Sequence, residues 1–369
     1  MRRLPAEWEP QEAILLTWPH AATDWHDSLE EVTECYVSLA REIVRREALW
    51  IVTPEPERVK ALVGEENIRY FECPTNDTWS RDHAFISVVE DGERRLLDFR
   101  FNAWGGKFEA SLDNAINRRI RDGIRGVYED HLDLELEGGS IESDGRGTIL
   151  TTVRCNLNPN RRSGREDMDR ELKRRLGAER ILWLRSGGLE HDDTDGHIDT
   201  LARLAPDDTI LYGEGDEALL GELQTLRTAE GKPYRLVAMP PYHVNFLIMN
   251  GAVLVPFYEN TEDNERARRA LESVFPEREI VGIDCRILLT PKRQPALLHH
   301  AVSRHRHRKV KYDIAMKVGI IQISCSADTE ANKRKLTEGI RRVSREGARL
   351  VVLQELHNTL YFCQTDIYA

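Results

Sequence analysis

Apolar strand-like runs alternate with amphipathic helices along most of this chain, which restricts it to an α/β fold built from repeated units. Ala13–Trp18 reads as a buried strand, and Leu29, Val32, Tyr36, Leu39 and Ile43 then recur three and four apart, making one apolar helical face. Leu49–Thr53 is strand-like and stops at Pro54, before a short helix over Glu57–Leu62 and a strand over Ile68–Glu72. Comparable units follow at Ile149–Thr152, Asp167–Leu176 and Ile181–Leu184, and again at Thr209–Tyr212, Ala218–Thr228 and Arg235–Met239. A further unit comprises Phe246–Pro256, Glu262–Phe275 and Glu279–Ile283. Similar size with little identity points to several copies of one supersecondary module.

After Leu289 the character changes. Pro291–Lys311 is basic, rich in histidine and without periodicity, and a new unit begins at Met316: a strand over Lys317–Ile323, a helix over Ala331–Ser344 and a strand over Leu350–Gln354. The expected division is therefore 1–290, 291–315 and 316–369. No apolar run approaches the ~18 residues of a membrane span, and the charged start MRRLPAEWEP has no signal-peptide core. Six cysteines sit singly, without a CxxC pair, so neither a zinc framework nor a disulfide framework is expected and a reducing cytoplasm is the simplest compartment. A net charge of −11 argues against nucleic-acid binding and suits a cationic ligand, although it also serves solubility alone.

Four strings in the Gly- and Asp-rich connections carry chemistry: Asn76–Phe85 (NDTWSRDHAF), Phe101–Lys107 (FNAWGGK), Leu136–Thr148 (LEGGSIESDGRGT) and His191–Leu204 (HDDTDGHIDTLARL). They hold Asp82, Glu137, His197 and Asp199. A guanidinium is planar and cationic, and carboxylates grip it in a fork. One histidine can protonate departing ammonia and then activate water. Trp79 could wall a slot that Asp82 closes, or Asp82 could be a surface partner of Arg81. Glu137 could turn inward at Gly138–Gly139, or be a solvated turn residue. On an extended GHID segment His197 and Asp199 would share a face, whether in a pocket or exposed. HDDTDGHID also invites a metal reading, but it lacks the calcium-loop order and any HExxH or Cys cluster, so it ranks below the guanidinium site.

With these strings in view, residues up to about Leu289 resemble the agmatine deiminase family of the guanidine-modifying superfamily. PAEWEPQEAILLTWPH, NLNPNR, YHVNF and GIDCR carry the likeness further, in the same order. The resemblance implies a five-bladed pseudo-symmetric α/β-propeller of ββαβ-type modules and hydrolysis of agmatine to N-carbamoylputrescine and ammonia, in putrescine and polyamine synthesis. It implies no metal or organic cofactor, no nucleic-acid or membrane partner, and leaves a homo-oligomer open. It assigns Asp82 and Asp199 to the guanidinium nitrogens, Glu137 to support of His197, His197 to general acid/base work, and Trp79 and Asn245 to the pocket wall. Deimination of peptidyl-arginine in the same family is the alternative.

One departure is serious. Family members follow the DCR segment with a string like NGSLHC, whose cysteine attacks the substrate, whereas here TPKRQPALLHHAVS follows and contains none. Cys285, Cys155 and Cys35 belong to other segments. A permissible codon string for Pro291–Ser303, shifted by one base, reads QNGSLHCCTMQF, with cysteines where Leu297 and Leu298 now stand. The tail from Met316 resembles the opening of N-carbamoylputrescine amidohydrolase, a nitrilase-family enzyme, with Glu355 matching its first catalytic glutamate. Fusion of adjacent genes through a shifted frame accounts for both features; a cation-binding protein without catalysis is what the chain otherwise encodes.

Overall fold

The computed structural model describes residues 1–159, 164–187, 194, 196–289, 296–297, 300–301, 318–321, 328–345 and 350–353. Two compact units emerge, Met1–Arg304 and His305–Ala369.

In the first unit, strand β1 (Arg2–Arg3) precedes a parallel sheet. Here β2 (Ala13–Thr17), β3 (Ala48–Thr53) and β4 (Ile68–Glu72) are linked by helices α1 (Leu29–Val44) and α2 (Pro56–Val63). The predicted α1 stripe is the buried one: Val32, Tyr36, Leu39 and Ile43 pack with Ile14, Leu16, Leu49 and Ile51. Burying such side chains contributes roughly 1.5–3 kcal/mol each.

Four ββαβ modules follow. The first contains β5 (Ile86–Glu90) and β6 (Glu93–Arg100), then α4 (Ala103–Gly106), a single turn, and α5 (Asp113–Ile120), then β7 (Val127–Glu135); the single turn α3 (Ser80–His83) precedes it. The second has β8 (Ile141–Ser143), β9 (Thr148–Thr152), α6 (Val153–Asn156), α7 (Arg165–Leu176) and β10 (Arg180–Leu184). The third has β11 (Ala202–Ala205), β12 (Thr209–Gly213), α8 (Glu217–Thr225) and β13 (Arg235–Met239). The fourth has β14 (Leu247–Met249), β15 (Ala252–Phe257), α9 (Thr261–Val274) and β16 (Glu279–Asp284). In each, the first strand is antiparallel to the second and the third parallel to it. Among the described residues this makes five sheets of three or four strands, plus the pair β17 (Ala296–Leu297) and β18 (His300–Ala301). The α/β class and the five-module expectation are met.

Two local expectations are corrected. Phe246–Pro256 is not one strand but β14 and β15, reversing at Asn250–Gly251, where Gly251 takes φ 74°. An Asn-Gly pair between apolar runs is a hairpin signal. The helix expected over Ala218–Thr228 ends at Thr225, because Leu226 is extended (ψ 148°). The strands β5 to β7 have no counterpart among the expected elements.

One buried ion network joins four modules. Arg203, on β11, is fully buried; its Nε donates to Glu142 Oε1 on β8 (2.6 Å) and one terminal nitrogen to the Phe246 carbonyl (2.7 Å). Glu7 takes its other nitrogen, and Arg81 also reaches Glu142 (3.3 Å) and Glu7. Removing one partner of a buried pair strands the other charge, at a cost of about 3–5 kcal/mol. Glu142→Ala is therefore expected to lower unfolding stability by about that amount. Glu142→Leu combined with Arg203→Met is expected to cost less than Glu142→Ala alone; urea unfolding measures both.

The second unit contains parallel strands β19 (Val318–Ile321) and β20 (Leu350–Leu353) with helix α10 (Thr329–Arg345) between them in sequence.

Candidate active site

The polar groups of the four strings recur at one point of the module, just ahead of its first strand. Asp82 lies in α3 before β5, and Glu137 leads a 3-10 turn (Gly138–Ser140) into β8. His197 and Asp199 belong to the turn before β11, and Asn245 comes two residues before β14. Repetition of the module thus brings residues far apart in sequence to one place.

Asp82, Glu137, His197 and Asp199 are all buried and converge. His197 Nε2 lies 2.8 Å from Glu137 Oε2, and Nδ1 lies 3.5 Å from Asp82 Oδ1. The Gly139 N–H donates to Asp82 Oδ1 at 3.0 Å. A Cβ at 139 would stand 2.5 Å from Asp199 Oδ2, 2.6 Å from His197 Nδ1 and 2.7 Å from Asp82 Oδ1. The missing side chain is what allows three groups to meet. Gly138 is packed just as closely: a Cβ there would lie 2.1 Å from the Arg81 carbonyl oxygen. Asp82 does not pair with Arg81, which turns to Glu7 and Glu142 and approaches Asp199 at 3.9 Å.

Two expectations about this region change. Ile198–Thr200 is a 3-10 turn, so His197 and Asp199 do not meet through an extended segment. They converge because the turn wraps over Gly139. Trp79 is buried, but its indole N–H donates to Asp77 Oδ2 (2.9 Å); the aromatic that touches Asp82 is Trp104, whose Nε1 donates to Oδ2 at 3.0 Å. The two indoles meet edge to face at 6.2 Å. The Trp104 backbone N–H also donates to Glu137 Oε1 (2.9 Å), from a left-handed conformation (φ 56°) shared with Ala103 (φ 49°). Non-glycine residues adopt it at a cost of about 1–3 kcal/mol, and such strain collects at functional sites. The glycines after Trp104 and the Asn102 side chain, which accepts from Gly105 N–H at 2.8 Å, hold the turn.

Asn245 is buried, and neither side-chain atom has a hydrogen-bond partner among the described residues. Cys155, discounted from sequence, belongs to the site. On α6, its Sγ lies with a Glu137 oxygen and a His197 nitrogen, all within 4.8 Å of one another. Cys285 instead packs on Cys35, sulfur to sulfur 3.9 Å, and that thiol contact with burial raises its pKa well above the usual thiol range. Leu298 and His191, Asp192, Asp193 and Asp195 of the metal reading lie outside the described residues, as do Glu355 and the Leu297 side chain.

Electrostatically the cluster is an acidic cage around one imidazole. Burial pushes Asp82 upward, and neighbouring Glu137 adds to it against His197, the Gly139 N–H and Trp104. Burial likewise raises Asp199 well above the carboxylate range. Burial opposes the charged form of His197, yet Asp82, Cys155 and Glu137 together hold it well above the ordinary histidine range.

Comparison with known proteins agrees with this arrangement. The family model of the Porphyromonas-type peptidyl-arginine deiminase matches residues 3–292. The agmatine deiminase of Pseudomonas aeruginosa (strain LESB58) is 32% identical, over 78% of this chain and 91% of that protein. A Porphyromonas gingivalis crystal structure designated an arginine deiminase is 45% identical with a TM-score of 0.74, covering 78% of this chain and 94% of that one. A cysteine-to-serine variant of the C. jejuni agmatine deiminase with substrate bound is 32% identical with a TM-score of 0.74, covering 82% and 96%. This chain belongs to the Porphyromonas-type peptidyl-arginine deiminase family.

Proposed function

We propose that this chain carries the site of a hydrolytic agmatine deiminase, and that its nucleophile has been lost to a shifted reading frame. The convergence of Asp82, Glu137, His197 and Asp199 around Gly139 carries the reading. Asp82 and Asp199 hold guanidinium nitrogens, Trp79 and Trp104 wall the pocket, and Asn245 offers the ligand its unpaired amide. A thiolate attacks the guanidinium carbon, and the adduct expels ammonia as His197 gives up its proton. A water deprotonated by His197 then adds to the thiouronium carbon, and the thiolate leaves with N-carbamoylputrescine as product. Neither metal nor organic cofactor enters these steps.

The module supports the account of the nucleophile. Each candidate polar group sits two to five residues ahead of a strand antiparallel to its neighbour. A fifth group would then precede a strand antiparallel to β2, and QNGSLHCCTMQF has the form of such a turn and strand. On this reading 1–290 is the deiminase unit, 291–315 an out-of-frame linker and 316–369 the opening of a nitrilase-like enzyme that consumes the product. That neighbour favours agmatine over peptidyl-arginine, and makes a cytoplasmic role in polyamine synthesis the natural setting.

Binding is testable without turnover. A bound cation favours ionised Asp82 and Asp199, whose pKa values burial has raised, and disfavours the imidazolium of His197. Both effects release protons, so agmatine affinity is expected to rise with pH from mildly acidic to mildly alkaline conditions. Calorimetry in buffers of different ionisation heat should show proton release, and agmatine binding tighter than arginine. Proton uptake, or preference for arginine or an arginine peptide, would contradict the assignment.

A further inference from the structure

We propose that Glu137, Cys155 and His197 form a binding site for a soft divalent cation of the zinc type, which the deimination steps do not use. The three residues present one carboxylate oxygen, one thiol sulfur and one imidazole nitrogen within 4.8 Å of one another, all from buried side chains. Thiolate, imidazole and carboxylate together are a zinc donor set, whereas calcium and magnesium require an all-oxygen shell. Around a tetrahedral zinc, ligand atoms stand about 3.5 Å apart, so the widest separation need close by roughly 1.3 Å at most, while Glu137 Oε2 and His197 Nε2, 2.8 Å apart, open by roughly 0.7 Å to admit the ion.

The site is held from outside. Thr152 Oγ1 accepts from the Cys155 N–H (3.2 Å) and donates to the Gly196 carbonyl (2.6 Å), tying the cysteine's turn to the residue before His197. Asp82 Oδ1, 3.5 Å from His197 Nδ1, stands where a carboxylate accepts the second imidazole N–H when Nε2 faces a metal. Asp82 and Asp199 ionise more readily beside a dication, and their charge then favours its binding. Three protein ligands leave a fourth position open. Two of them are the base and its carboxylate, so cation and guanidinium exclude each other, and zinc acts as a competitive blocker. No residue beyond Leu289 takes part, so the chain tests this as it stands, apart from any question of turnover.

The experiment is titration of the full chain with cobalt(II), then zinc(II). One cobalt per chain is expected, with a near-ultraviolet thiolate-to-cobalt charge-transfer band that zinc abolishes. Cys155→Ser should remove the band and weaken zinc binding at least about tenfold. His197→Gln should weaken it similarly, and serine at any of the other five cysteines should change neither. Absence of stoichiometric binding, a band surviving in Cys155→Ser, or a band lost with another cysteine instead would overturn the proposal.

Discussion

A methyl group at position 139 is expected to abolish guanidinium binding while leaving the protein folded. The Cβ of Gly139→Ala would fall 2.5 to 2.7 Å from Asp199 Oδ2, His197 Nδ1 and Asp82 Oδ1. Those atoms are side-chain ends, so the backbone need not break; the groups must move apart instead. Losing two hydrogen bonds between charged groups and the ligand, at about 1.5–3 kcal/mol each, costs on the order of 10²-fold or more in affinity. Agmatine affinity should fall at least that far, with thermal unfolding little changed. Gly221→Ala, where nothing lies within 4 Å of the new Cβ, is the control and should retain affinity. Equal binding by Gly139→Ala would mean that the ligand is not held by the three groups around this glycine.

The sequence disclosed most of what hydrophobic periodicity can disclose. The α1 stripe and the strands β2, β3, β4, β13 and β16 lie within a residue or so of their expected bounds, since long apolar patterns specify which face is buried. What it obscured was local chain reversal: Asn250–Gly251 divides an apolar run that reads as continuous, and Leu226 leaves the helix before its apolar pattern ends.

The site was legible as strings and ambiguous as single residues. Asp82 alone reads equally as a surface partner of Arg81, and only burial with the Gly139 N–H and the Trp104 indole distinguishes the two. Trp104 carries no signal of its own within FNAWGGK, because its contact with Asp82 depends on a left-handed backbone that a tryptophan rarely adopts. Cys155 lies in a segment where the resemblance expects no nucleophile. Its nearness to His197 comes through Thr152 and Gly196, a tertiary link that no spacing rule reveals.

That cysteine sharpens the question of the nucleophile. An alcohol is a far poorer nucleophile than a thiolate at neutral pH, and leucine forms no covalent adduct at all. Cys285 is engaged with Cys35, which makes Cys155 the thiol with the better claim to any activity of the chain as encoded. Ammonia release from agmatine, measured side by side for this chain and for the frame-restored protein, decides the matter. The expected result is no turnover by this chain, turnover by the restored one, and loss of that turnover when its first restored cysteine is changed to serine. Equal ammonia release by the unrestored chain, abolished by Cys155→Ser, would contradict the account and place the nucleophile on α6.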